Sequence, residues 1–137
     1  MRTDQRFVAT RTGWALALAL LAPTALIMTA CHDSASAEQV KTIPGADAQR
    51  GAADIAQIGC GTCHMIPGIK DAEGLVGPPL EHWSRRAYIA GEVPNTPGML
   101  VRWIETPQAI EPGTAMPNLG ITEQRARDIA EYLYTLK

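Results

Sequence analysis

Large side chains are scarce in this chain. Its 137 residues include three Trp, three Tyr and one Phe, and that one is Phe7, among the first thirty positions. A small core so poor in bulky groups calls for a staple, a metal or a prosthetic group. Positive charge is scarce too. Twelve Lys and Arg stand against fourteen Asp and Glu, and Arg2, Arg6 and Arg11, with Asp4, precede residue 31. Nine basic and thirteen acidic residues remain beyond that point, a net −4, which excludes the electrostatic footprint of a nucleic-acid binder. No GxGxxG or GxxxxGKS/T stretch is present, so there is no phosphate-cradling loop. There is no second CxxC, which leaves a structural zinc site short of four ligands unless it recruits His32 or His82. No stretch of five or more residues alternates convincingly between apolar and polar, so sheet is not expected. The length allows one small domain.

What is there begins with a basic start and the uncharged run Trp14–Met28, WALALALLAPTALIM. That is the layout of an export signal. About fifteen apolar residues, interrupted by Pro23, fall short of the roughly 20 that cross a bilayer as a helix. Residues 1–30 are therefore expected to be a signal. Met28-Thr29-Ala30-Cys31 resembles a bacterial lipoprotein site, with Cys31 as the lipidated N-terminus, although Met28 departs from the usual Leu. Ala35-Ser36-Ala37 offers a competing A-x-A cleavage site, and an uncleaved anchor is the third option. All three put the protein on the periplasmic side of a bacterial inner membrane, lipid-anchored or soluble. Residues 31–44 (CHDSASAEQVKTIP) are small, polar and aperiodic. They are expected to form a tether reaching at most about 50 Å.

Residues 45–137 then form the folded domain. Apolar positions 48, 52, 55 and 58 predict a helix over Asp47–Ile58, with Asp47 at its N-cap. Pro97–Glu105 predicts a second helix, with Leu100, Trp103 and Ile104 inward and Pro107 just beyond its end. Thr122–Leu136 predicts the longest helix, capped by Thr122, with Ala126, Ile129, Ala130 and Leu133 on its apolar stripe. Between them the chain is rich in Gly and Pro. Loops that long in a small all-α domain need something to wrap around.

The chemistry lies in Cys60-Gly61-Thr62-Cys63-His64. C-x-x-C-H is the attachment signature of a c-type haem. Two cysteines three apart share one side of a turn and can reach neighbouring edges of a porphyrin, and the following His can ligate its iron. A thioredoxin-like redox pair would want a βαβ unit, which is not visible here, and a structural disulfide would not require the His. The sixth ligand is sought among Met65, Met99, Met116, His82 and His32. Met65 adjoins His64, His32 lies in the tether, and Met99 sits among packing residues. Met116, in a loop stiffened by Pro117 just before the last helix, is the preferred ligand, with His82 as the alternative.

The sequence resembles a class I cytochrome c over about residues 45–137. The resemblance is carried by CxxCH after a short helix, Gly77-Pro78-Pro79-Leu80, Trp103-Ile104, Pro112-Gly113-Thr114-Ala115-Met116-Pro117 and Ala130-Glu131-Tyr132-Leu133. Ser84-Arg85, Pro94-Asn95-Thr96-Pro97 and Arg102-Trp103-Ile104 are similar to the cytochrome c domain of bacterial cytochrome oxidase subunit II. The resemblance implies an all-α cytochrome c fold of three to five short helices around one covalent haem c. It implies that the Pro78 carbonyl fixes His64, and that Leu80 packs on the ring. Arg85 would meet a haem propionate (Arg86 is the alternative), Trp103 would donate its indole N–H to one, and Asn95 could join that network. Gly51 would let the first helix cross the last near Tyr132. It implies a one-electron carrier rather than an enzyme, with redox proteins as partners: a terminal oxidase, a cytochrome bc1-type complex or a periplasmic dehydrogenase. A free shuttle and a relay subunit inside a larger complex share this chemistry. An open iron acting as peroxidase or gas sensor is the reading of a different class.

Overall fold

Helix α1 (Ala48–Ile58) starts where the Asp47 side chain accepts the Arg50 N–H at 2.8 Å. It stops at Gly59, whose φ of 84° lies in the left-handed region that glycine enters without strain. Helix α2 (Pro97–Glu105) is capped by the Thr96 side chain and begins with proline, whose missing N–H costs nothing in a first turn. Helix α3 (Glu123–Thr135) is capped by Thr122 and carries Glu123 in its positive first turn. The three predicted helices are thus present, each within a residue of its expected bounds. The structure is a computed structural model and describes residues 41–137. The signal, Cys31 and most of the expected tether lie outside the described residues. No helix among the described residues is long and apolar enough to cross a membrane.

A short antiparallel hairpin was not expected. Strand β1 (Tyr88–Ile89) pairs with β2 (Val93–Pro94). Ala90 and Gly91, with φ of 53° and 80°, make the left-handed turn between them, closed by the Glu92 N–H on the Ile89 carbonyl at 3.0 Å. Two residues per strand are too few for alternation to show in sequence. The hairpin matters because two of its residues, Tyr88 and Ala90, line the site.

α1 and α3 cross where Gly51 meets the backbone of Asp128 and Ile129. The predicted close crossing is real, but it lies a turn earlier on α3 than Tyr132. A Cβ at position 51 would run into the Asp128 carbonyl. The Asp128 carboxylate, buried at the same crossing, accepts from the Asp47 N–H (2.7 Å), Arg50 Nε and Nη2 (2.8 and 2.9 Å) and Gln124 Nε2 (3.0 Å). The Arg50 guanidinium, more than the others, holds this carboxyl below its usual range. Tyr132 instead reaches the Pro67 carbonyl, at 2.7 Å.

The tether ends earlier than expected. Ile43 is buried, its N–H donates to Glu131 Oε2 at 2.7 Å, and Arg127 donates to the Pro44 carbonyl. Val40 and Ile43 are the only bulky apolar residues of the sequence between positions 31 and 47, and two positions are too few for a periodicity that sequence could reveal.

Candidate functional site

Gly59 turns the chain out of α1 into a tight 3-10 turn over Cys60–Thr62. The Cys63 and His64 N–H groups both bond the Cys60 carbonyl, at 3.2 and 3.0 Å. Residues three apart eclipse in such a turn, so Cys60 and Cys63 stand on one side. Neither forms a disulfide with a described residue, and both are half-buried. Burial pushes the Cys60 thiol above its ordinary range.

His64 is held from the next loop. Its Nδ1 lies 2.7 Å from the Pro78 carbonyl. A carbonyl only accepts, so Nδ1 carries the proton and Nε2 is left as a lone-pair donor. Two further bonds lace this loop to the motif, Gly77 N–H to the Cys63 carbonyl and Leu80 N–H to the Met65 carbonyl, both 2.8 Å. The imidazole lies so close over Gly77 that a Cβ there would come within 2.6 Å of Nδ1. Position 77 must lack a side chain for the ring to sit where it does.

A cavity of about 470 Å³ opens beside this turn. Cys60, Cys63, His64, Pro78, Leu80, Trp103 and Met116 all line it. So do Ile55, Ile66, Leu100, Ile104, Ile129 and Leu133, from all three helices and the loop after the motif. The Met116 loop is braced by its own short side chains. Gln108 Nε2 donates to the Met116 carbonyl at 2.7 Å, and the Met116 N–H donates to Thr114 Oγ1 at 3.2 Å. His82 does not line the cavity, and its Nδ1 meets the Lys137 carbonyl at 2.6 Å.

Two expected residues are not in the wall. Arg85 is exposed, and Arg86 lines the cavity in its place. The cause is the 3-10 turn over Trp83–Arg85. With three residues per turn, Trp83 and Arg86 face the same way and Arg85 is turned aside. Asn95 is buried behind the wall. Its Nδ2 donates to the carbonyls of Trp83 (3.1 Å) and Arg86 (2.9 Å), and its Oδ1 accepts the Tyr134 O–H at 3.0 Å. Every polar atom of its side chain is engaged there, so none is left for a ligand.

Trp83 is the site residue that sequence reasoning missed, and Arg86 was there only as the alternative to Arg85. The signal available was their spacing, three apart, just after Gly77-Pro78-Pro79-Leu80. The Arg86 guanidinium stacks on the Trp83 ring, 4.9 Å from its centroid, and donates to the Pro79 and Glu81 carbonyls. No carboxylate of the described residues pairs with it. Burial therefore lowers its affinity for the proton, offset in part by Glu81. The Trp83 indole N–H is buried with no partner among the described residues.

These features fit one kind of occupant. Two thiols, an oriented imidazole and a thioether share an apolar cavity whose wall carries a single unpaired cation. That set suits a large flat apolar ring with anionic substituents and a metal at its centre. A family model described as Cytochrome c matches residues 48–137. No curated protein matches the chain.

Proposed function

The chain belongs to the cytochrome c family, and from that premise we propose how its own residues carry an electron. Membership makes it an electron-transfer protein with a covalent c-type haem. The bound haem supplies an iron that gains and loses one electron. In the proposed reading Cys60 and Cys63 would hold the ring, and His64 Nε2 and Met116 Sδ would bind its iron. The Pro78 carbonyl fixes the imidazole and raises its basicity. The Met116 thioether is a soft donor that favours the reduced ion and raises the potential. With His64 and Met116 both serving as donors, the protein would leave O₂ or peroxide no place at the metal. Leu80 and the helix-borne Leu and Ile side chains keep water from the ring, which limits reorganisation as the electron moves. Arg86, in place of Arg85, meets a haem carboxylate.

The observation that carries this reading is the convergence of Cys60, Cys63, His64 and Met116 on one apolar cavity from two separate segments. The remaining elements of the proposal rest on sequence. The leader exports the domain, and Cys31 carries lipid that keeps it at the periplasmic face of the inner membrane. Its partners are then redox proteins, a terminal oxidase on one side and a cytochrome bc1-type complex or a periplasmic dehydrogenase on the other.

The deciding experiment is the optical spectrum of oxidised and reduced holoprotein, with and without carbon monoxide. A weak charge-transfer band at the red edge of the ferric spectrum and indifference to carbon monoxide are expected. Met116→Ala should abolish the band, lower the potential and admit carbon monoxide. Rapid carbon monoxide binding by the unchanged protein would overturn Met116 as a ligand and favour a sensor or peroxidase.

A further inference from the structure

Asn95 and Tyr134 lie behind the cavity wall and touch nothing inside it, yet they hold the part of the chain that presents Arg86. Asn95 is 4 % exposed and Tyr134 5 %. The Asn95 amide nitrogen spans two carbonyls that begin and end one turn, those of Trp83 and Arg86. Its oxygen takes the Tyr134 hydroxyl. Two carbonyl acceptors on one side and a hydroxyl on the other fix the orientation of the amide. The Asn95 N–H adds a bond to the Ala87 carbonyl at 2.8 Å, which ties the end of the hairpin to the same turn. From α3 through Tyr134 to Asn95, one buried chain of hydrogen bonds therefore reaches both Arg86 and the ring it stacks on.

We infer that Tyr134 and Asn95 are positioning residues that set the reduction potential by holding the Arg86 guanidinium in the haem-cavity wall. The inference rests on the reading of Arg86 as the partner of a haem carboxylate. A fixed cation beside the cavity favours the added electron and so raises the potential. The charge of Arg86 is felt strongly because this wall is apolar. Removing either link lets the turn and the guanidinium shift toward water, where the charge is screened. Burial, aided by the charge of Glu131, pushes the Tyr134 phenol upward, so it remains an O–H donor across the ordinary pH range. Lys41, whose Nζ donates to the Arg86 carbonyl at 3.4 Å and lies 5.5 Å from the Tyr134 ring centroid, braces the same turn from outside.

The test is a double-mutant cycle read in midpoint potential on holoprotein. Tyr134→Phe keeps the buried ring and removes only the hydroxyl. Asn95→Asp keeps the shape and removes both amide donors, and serves as the second variant. Tyr134→Phe in the native background should lower the potential, by less than Arg86→Leu does. In the Arg86→Leu background, Tyr134→Phe should leave the potential where Arg86→Leu put it, while still lowering the denaturant midpoint. A potential shift of equal size in both backgrounds, or no shift in the native one, would show a merely structural role and overturn the inference. If Arg86→Leu itself leaves the potential unchanged in protein with intact axial ligation, the carboxylate reading of Arg86 fails first. The spectrum of each sample reports haem content and ligation, so that failure is separable from the other.

Discussion

Two buried polar regions of this molecule solve different problems. At the α1–α3 crossing, the Asp128 carboxylate meets four donors, and Gly51 brings the two backbones into contact. At the wall formed by Trp83 and Arg86, an indole N–H has no partner and a half-buried cation has no carboxylate among the described residues. A buried polar group left unpaired costs about 1–3 kcal/mol. The crossing satisfies its buried carboxylate from four donors, whereas the wall leaves the Trp83 N–H without a partner among the described residues. Frame and site thus draw their stability from different sources, and the two can be broken separately.

The largest effect is expected from removing both anchors, Cys60→Ser with Cys63→Ser. Cavity creation costs about 24 cal/mol per Å³ in buried cores. For the volume of about 470 Å³, that is at most about 11 kcal/mol, on the scale of the whole stability of a small domain. Haem-free chain should therefore lose its cooperative melt by circular dichroism. Any surviving hydrogen-exchange protection should be confined to α1 and α3. A haem-free variant that melts cooperatively near the wild-type temperature would mean that the wall is as self-sufficient as the crossing.

Next comes the frame itself. Gly51→Val would drive a branched side chain into the Asp128 carbonyl, and neither helix backbone can retreat cheaply. Overpacking of that kind should cost about 3 kcal/mol, read as a fall in denaturant midpoint with axial ligation unchanged. A wild-type midpoint would show that the helices cross less closely than described.

Asp128→Asn should cost about 2 kcal/mol, because charge-assisted bonds from Asp47, Arg50 and Gln124 are weakened together. It also predicts a pH dependence. The folded pKa of Asp128 is depressed, chiefly by the Arg50 hydrogen bonds. Its contribution is then fully present above the unfolded carboxyl value of about 3.9. It is lost as pH falls through the lower folded value. Denaturation midpoints measured from pH 6 downward should decline less steeply in Asp128→Asn than in wild type, at pH values below about 4. Parallel acid limbs would remove Asp128 from the pH-sensitive frame.

What the sequence disclosed and withheld follows the same division. The three helices were legible because each has periodic apolar positions and an end signal: Asp47 or Thr122 as a cap, or Pro97 and Pro107 about α2. The motif and the Met116 loop were legible because their chemistry is local, a few residues at fixed spacing. The wall was not. Whether Arg85 or Arg86 faces inward depends on a single 3-10 turn, and the role of Asn95 on Tyr134, 39 positions away. Such pairings are set by tertiary packing, and no pattern within a window records them. The strap at Ile43 escaped notice for the same reason, since its partner Glu131 is 88 residues distant.

The smallest expected effect sharpens the comparison most. Arg85 and Arg86 are adjacent, carry the same charge and differ only in the direction that the turn gives them. Arg85 is exposed and its side chain makes no hydrogen bond or ion pair with the described residues, so its charge is screened by water and salt. Arg85→Ala should therefore change stability by no more than about 0.5 kcal/mol and leave the midpoint potential in place. Arg86→Ala should lower the potential measurably and lose the contact with the Trp83 ring. The difference should persist in high salt, which damps exposed charges far more than half-buried ones. Equal shifts from the two substitutions, vanishing together as salt is added, would mean that only net charge matters and that the turn does not select between them.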